Sequence, residues 1–97
     1  MRGVRSANLR GRLTAWADLP VDVLLNLPRV VMYGRQQLRV ENHSGIEECQ
    51  PQRVRVRTQA GVLQIDGHWL HLRSLDGQEV VVEGEIERTE WTKGGGP

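Results

Sequence analysis

Downstream of Pro28 the chain alternates apolar and polar positions with a period of two, in short runs cut by glycine or turn residues. Alternation of this kind sends successive side chains to opposite faces of a strand. It predicts strands over residues 29–33, 38–42, 46–49, 53–58, 62–65, 68–72 and 79–91. In 53–58, Val54 and Val56 share one face and Arg53, Arg55 and Arg57 the other. In the last run Val80, Val82, Gly84 and Ile86 turn inward, while Glu79, Val81, Glu83, Glu85 and Glu87 turn outward. One basic and one acidic stripe result, and if the two strands are neighbours the stripes should meet as cross-strand pairs. The core expected from these faces is Val54, Val56, Leu63, Ile65, Leu70, Leu72, Val80, Val82 and Ile86.

The punctuation between runs is turn chemistry. Gln59-Ala60-Gly61 and Asp66-Gly67 read as hairpin turns, and Asn42-His43-Ser44-Gly45 as a polar turn after the second strand. Pro51 belongs to a loop or an edge, because it has no N–H to give a ladder. Gly84, inside the longest run, marks a bulge or bend that lets one strand serve two parts of a curved sheet. A strand ending in glycine recurs at 31–34, 63–67 and 80–84. That is too few copies for a β-solenoid, so an antiparallel meander is expected. The predicted fold is mainly β: six or seven short antiparallel strands bent into a small barrel or sandwich.

Before Pro28 the period changes. Leu9, Leu13 and Trp16 recur at spacings of four and three and fall on one helical face. Pro20 suits the first turn of a second helical stretch, which Pro28 ends. These turns are expected to cover one face of the β-domain. The competing reading is an interfacial helix, with Leu and Trp in a headgroup layer and Arg2, Arg5 and Arg12 on anionic lipid. The chain thus divides into an N-terminal helical segment (1–27), a β-domain (28–91) and a flexible tail (92–97).

Composition narrows the function more than the fold. In 97 residues there is no Phe, one Tyr and three Trp, so the core must come from Val, Leu and Ile. A net charge of +1 argues against a dedicated nucleic-acid binder. Charge is nonetheless segregated: Arg2, Arg5, Arg10 and Arg12 open the chain, and Asp76, Glu79, Glu83, Glu85, Glu87 and Glu90 crowd its end. The single Cys49 fits a reducing compartment. No apolar run reaches the roughly 18–20 residues of a membrane span, and no signal-peptide core is present, which predicts a cytosolic domain.

Catalytic and metal chemistry find no footing. Strict alternation sends His68 and His71 to opposite faces of a strand, which argues against a shared metal. Cys49 with His43 lacks a third group or an oxyanion hole at recognisable spacing. The expectation is a protein without a cofactor that is not an enzyme.

One arrangement of residues is specific. Leu19-Pro20, Asp22-Val23, Leu27-Pro28-Arg29, Gly34, Val40-Glu41-Asn42-His43 and Gly45-Ile46 follow in order, continued by Gly61-Val62-Leu63, Ile65, Gly67, Leu70, Val82-Glu83-Gly84 and Ile86. Together they resemble the YqfC branch of the YabP/YqfC family of sporulation proteins, small proteins of endospore-forming Firmicutes. The resemblance implies a non-enzymatic sporulation protein acting by protein–protein interaction. It places the chain in the mother-cell cytoplasm or peripherally at the forespore membrane. Because such proteins are usually encoded beside a membrane-associated sporulation protein, that protein is the expected partner. Glu41, Asn42, His43 and Gly45 are the candidate contact at the strand–turn junction, and Glu83, Glu85 and Glu87 a second candidate on a strand expected at the sheet edge. The alternative is a small nucleic-acid or anionic-surface binding module using Arg53, Arg55, Arg57 and the N-terminal arginines.

Overall fold

The computed structural model describes residues 26–93, and the predicted N-terminal helix lies outside the described residues. Six strands form one antiparallel sheet: β1 (Arg29–Tyr33), β2 (Gln37–Glu41), β3 (His43–Gln50), β4 (Arg53–Thr58), β5 (Gly61–Leu75) and β6 (Glu79–Thr92). Their order across the sheet is β1-β2-β6-β5-β4-β3. The mainly β, antiparallel reading therefore holds, with two changes of topology. The last strand inserts between β2 and β5, so the path departs from a simple meander, and the sheet is not closed into a barrel.

The connection from β2 to β3 dictates the shape. These strands stand four places apart in the sheet, which on a flat surface is about 19 Å. Only Asn42 joins them, a link of at most about 7 Å. The sheet must therefore curl until the flanks bearing β2 and β3 meet at this corner. Asn42 makes the corner by adopting φ 64°, a left-handed conformation that asparagine tolerates better than most residues. Its N–H donates to the Gln78 carbonyl at 2.6 Å and its side-chain amide donates to the Leu27 carbonyl at 3.0 Å. The expected four-residue turn has contracted to one residue, and His43, Ser44 and Gly45 belong to β3.

Curling brings two similar halves face to face. The β1–β2 hairpin docks on β6, and the Gly84 and Ile86 N–H groups donate to the carbonyls of Gln36 and Arg35 in its turn. The β3–β4 hairpin docks on β5 in the same manner, with Gly67 and Leu70 donating to Gln52 and Pro51. The two long strands pair with each other, so a pseudo-two-fold axis runs between them. Leu38 and Val40 oppose Val82 and Val80 in one half, as Val54 and Val56 oppose Ile65 and Leu63 in the other. All eight side chains lie in one core cluster, joined by Leu70 and Ile86, with Leu72 packed against its margin. The repeat ending in Gly67 and Gly84 is this symmetry seen along the sequence.

The Asp66-Gly67 turn is a correction. Gly67 pairs with Ile86 in the middle of β5, and 62–65 and 68–72 are two parts of one bent strand. Glycine is required there by close approach: an added Cβ would collide with the Glu85 carbonyl. Gln59-Ala60 does turn as predicted, with Thr58 Oγ1 accepting from the Ala60 N–H at 3.0 Å and donating to the Gly61 carbonyl at 2.7 Å.

Charge pairing also differs from expectation. Because β5 stands between β4 and β6, the basic and acidic stripes never meet. Arg55 and Arg57 instead reach Glu47 at 3.0 and 3.4 Å, and Arg53 reaches Asp66 at 2.7 Å.

Candidate functional site

Of the residues singled out beforehand, those at the β2–β3 corner are engaged within the chain. Glu41 pairs with Arg29 at 3.4 Å. His43 Nδ1 accepts from the Gly45 N–H at 3.0 Å, which leaves Nε2–H to donate to the Asp76 carbonyl at 2.8 Å. Gly45, at φ 142°, sits where β3 slips register against β4. Next to the corner, Asp76 closes the β5–β6 turn by accepting from the N–H groups of Gln78 and Glu79, both at 2.8 Å.

The acidic residues of β6 fall into two environments. Glu83 lies between β2 and β5 and is held by Gln37 at 2.9 Å, Arg73 at 2.8 Å and His71 at 3.5 Å. Glu85 and Glu87 are exposed, Glu87 with His68 at 3.3 Å. The first half of β6 is thus interior and only its second half, past Ile86, is a free edge among the described residues.

Three carboxyl groups are held below their ordinary range. For Asp76 the causes are the backbone N–H groups of Gln78 and then Glu79. For Glu83 they are the Arg73 and then the Gln37 hydrogen bonds. Burial pushes Asp66 up, but its bonds from Gln64 and Arg53 and the charges of Arg53 and Arg88 outweigh that. A lowered folded-state value means that the stability each contributes is present above the ordinary carboxylate range and is lost as pH falls through the lowered value. Thermal melts should therefore be nearly flat from about pH 7 to pH 5 and fall below about pH 4. Asp66→Asn, Asp76→Asn and Glu83→Gln combined should flatten that acid limb; an unchanged slope would show that other carboxylates control it.

Among the described residues the most exposed of the large apolar side chains is at the bulge where β5 and β6 bend. Between the pairs His68↔Glu85 and His71↔Glu83, β5 carries Trp69 and Leu70 against the single Gly84 of β6. Leu70 drops into the core and Trp69 is left at φ 58° and 77% exposed. For a bulky residue such a backbone costs about 1–3 kcal/mol, and a side chain this exposed returns little of it by packing against the described residues. The extra residue also shifts the side-chain phase, so His68 and His71 share the face of Glu83, Glu85 and Glu87; strict alternation had put them on opposite faces. Among the described residues no three His, Cys, Asp or Glu side chains converge on a metal-sized site.

Around Trp69 the surface is a shallow double depression. One part, of about 550 Å³, is lined by Arg35, Gln36, Trp69, His71, Gly84 and Glu85. The other, of about 510 Å³, shares Gln36, His71 and Gly84 and adds Tyr33, Gln37 and Glu83. Arg35 makes no ion pair with any described residue. An exposed indole, a phenol ring and an arginine around one depression are the residue types that anchor protein contacts. The corner residues Glu41, Asn42, His43 and Gly45 lie at the opposite end of β2, so the structure does not unite the two predicted groups. Trp69 itself escaped the sequence reading. Its signal was a large aromatic residue at an outward position between two histidines.

Residues 26–97 match the YabP family. Over 85 residues the chain is 31% identical to the uncharacterized protein YqfC of Bacillus subtilis (strain 168), a match that covers 88% of this chain and 91% of that protein. About a dozen residues of this chain fall outside that match, so the similarity reaches upstream of β1.

Proposed function

The chain belongs to the YabP family, and from that premise we propose that it is a non-enzymatic sporulation protein of endospore-forming bacteria that docks a membrane-associated sporulation partner through the surface around Trp69. The resemblance to sporulation proteins supports the biological setting. The observation that carries the mode of action is Trp69 itself: a strained backbone that leaves a large aromatic residue mostly exposed among the described residues suits a contact anchor. Glu85 lies at the margin of the same surface and Glu87 just beyond it along β6. No helix among the described residues is long and apolar enough to cross a membrane. The proposed place is the mother-cell cytoplasm, peripheral to the forespore membrane through the partner. The nucleic-acid alternative is weakened by the arginines of β4, whose charges are met by Glu47 and Asp66.

The test is co-purification from the membrane fraction of sporulating cells. Wild-type chain should recover one sporulation membrane protein, Trp69→Ala less than a tenth of it, and Trp91→Ala, which removes an exposed indole elsewhere, an undiminished amount. Equal recovery with Trp69→Ala would reject the surface. A second measurement separates binding from folding. Trp69→Gly relieves the positive φ at the cost of glycine's chain entropy, so its melting temperature should rise by roughly 3–8 °C while capture is lost. A fall in melting temperature would show that the indole is a structural element.

A further inference from the structure

Four stretches of strand edge are open among the described residues: β1, β3, the second half of β5 and the second half of β6. Open edges invite pairing with another chain and are usually blunted by bulges or charge. Three of the four are. β3 slips register twice and carries Glu47 and Glu48, β5 is broken by a shift at Arg73, and β6 presents Glu87, Arg88 and Glu90 to solvent. Among the described residues β1 has no such device. It pairs with β2 without interruption, and four of its five residues are apolar or aromatic.

The face of β1 is anomalous as well. Its register sets Val30 opposite Val40 and Met32 opposite Leu38, so both lie on the core side of the sheet. Their partners are fully buried, yet Val30 is 36% and Met32 42% exposed. Among the described residues the buried layer is thus left unfinished at this strand.

We propose that β1 pairs antiparallel with β1 of a second copy of this chain, centred on Val31, so that the curled sheet continues across a two-fold axis. The strand is complementary to itself in that register. Val31 meets Val31 on the axis, Val30 meets Met32, and Arg29 meets Tyr33, whose ring already has the Arg39 guanidinium of its own chain 5.9 Å from its centroid. No like charges oppose one another, and the half-exposed valine and methionine of each copy cover those of the other. An antiparallel pair of this kind satisfies the outward backbone groups of both strands at once. The paired strand is short compared with a standard interface, so the dimer should be weak, with a Kd in the micromolar range. The pairing does not depend on the role assigned to Trp69. It does place one Trp69 surface on each side of the junction, which would let a dimer hold two copies of a membrane-bound partner and gain from avidity.

Sedimentation of the full chain is the first test: the mass should approach that of a dimer as the concentration rises to about 200 µM. Val31→Lys, which sets two ammonium groups on the axis at a half-exposed position, should weaken association at least tenfold with an unchanged far-UV spectrum. If that variant does not fold, cross-linking decides. In a Cys49→Ser background, Val31→Cys should oxidise to a disulfide-linked dimer much faster than Leu75→Cys on the free half of β5. A full chain that stays monomeric at this concentration would overturn the proposal, and would do so too if the occupant of the edge were the chain's own N-terminal segment. So would undiminished association of a folded Val31→Lys, or cross-linking no faster at 31 than at 75.

Discussion

Gly67→Ala and Gly84→Ala are each expected to remove about 3–5 kcal/mol of stability, a large share of the 5–15 kcal/mol typical of a domain. The reason is backbone against backbone. At Gly67 an added Cβ would run into the Glu85 carbonyl, and at Gly84 it would lie 2.7 Å from the Trp69 carbonyl and 2.9 Å from the Leu70 Cα. No rotamer change relieves either contact, because the obstructing atoms belong to the paired strand itself. Gly84 carries the further burden of φ 141°, which an L side chain rarely adopts. Melting temperatures should fall by roughly 15–30 °C. Gly77→Ala is the control, since open space surrounds that position, and it should stay within about 0.5 kcal/mol of wild type. A loss below about 1 kcal/mol at Gly67 would mean that β5 and β6 do not approach as closely as their pairing requires.

The same two glycines show how far the sequence could be read. Gly84 inside a long alternating run signals a bend, because alternation on both sides of it is intact. Gly67 follows aspartate, and an Asp-Gly pair carries the chemistry of a turn whether or not the chain turns there. Only the pairing partner distinguishes them, and the partner is some twenty residues away. Val54, Val56, Ile65, Val80 and Val82 fall on the core side because alternation needs no tertiary information. His68 and His71 were misplaced because one extra residue in β5 shifts the phase between them, and that residue is visible only when Gly84 is set opposite. Trp69 stands outward by alternation with Leu70 and Leu72, but its left-handed backbone is announced by no local pattern. The pairing of Arg55 and Arg57 with Glu47, in place of the acidic run of β6, depends on strand order, which is a long-range property.

These long-range features share one origin. Each half of the molecule is a hairpin laid on one long strand, and the bends at Gly67 and Gly84 are what allow two such halves to face each other within a single sheet. Bending forces the partner strand to carry an extra residue, and on β5 that residue is Trp69. The proposed contact surface is therefore a consequence of how the sheet curls. Relief of its strain and loss of capture should accordingly separate in the Trp69→Gly variant.

Leu38→Ala and Ile65→Ala test the facing halves directly. Both side chains are fully buried, one on each half, so each truncation removes apolar contacts and leaves a cavity in a sheet that relaxes poorly. A loss of about 2–5 kcal/mol is expected for either. Because β5 and β6 run through both halves, denaturation should remain one cooperative transition with an unchanged m-value. Two separate transitions, one per variant, would show that the halves fold independently and do not share a core. Met32→Ala supplies the contrast: although it stands on the same face as Leu38, it is 42% exposed, and truncation in a dilute, monomeric sample should cost less than about 1 kcal/mol. If Met32→Ala proves as damaging as Leu38→Ala, the core face of β1 is covered. Concentration dependence of that loss then identifies the cover, since a second copy protects only where the dimer forms, whereas a segment of the same chain protects at every dilution.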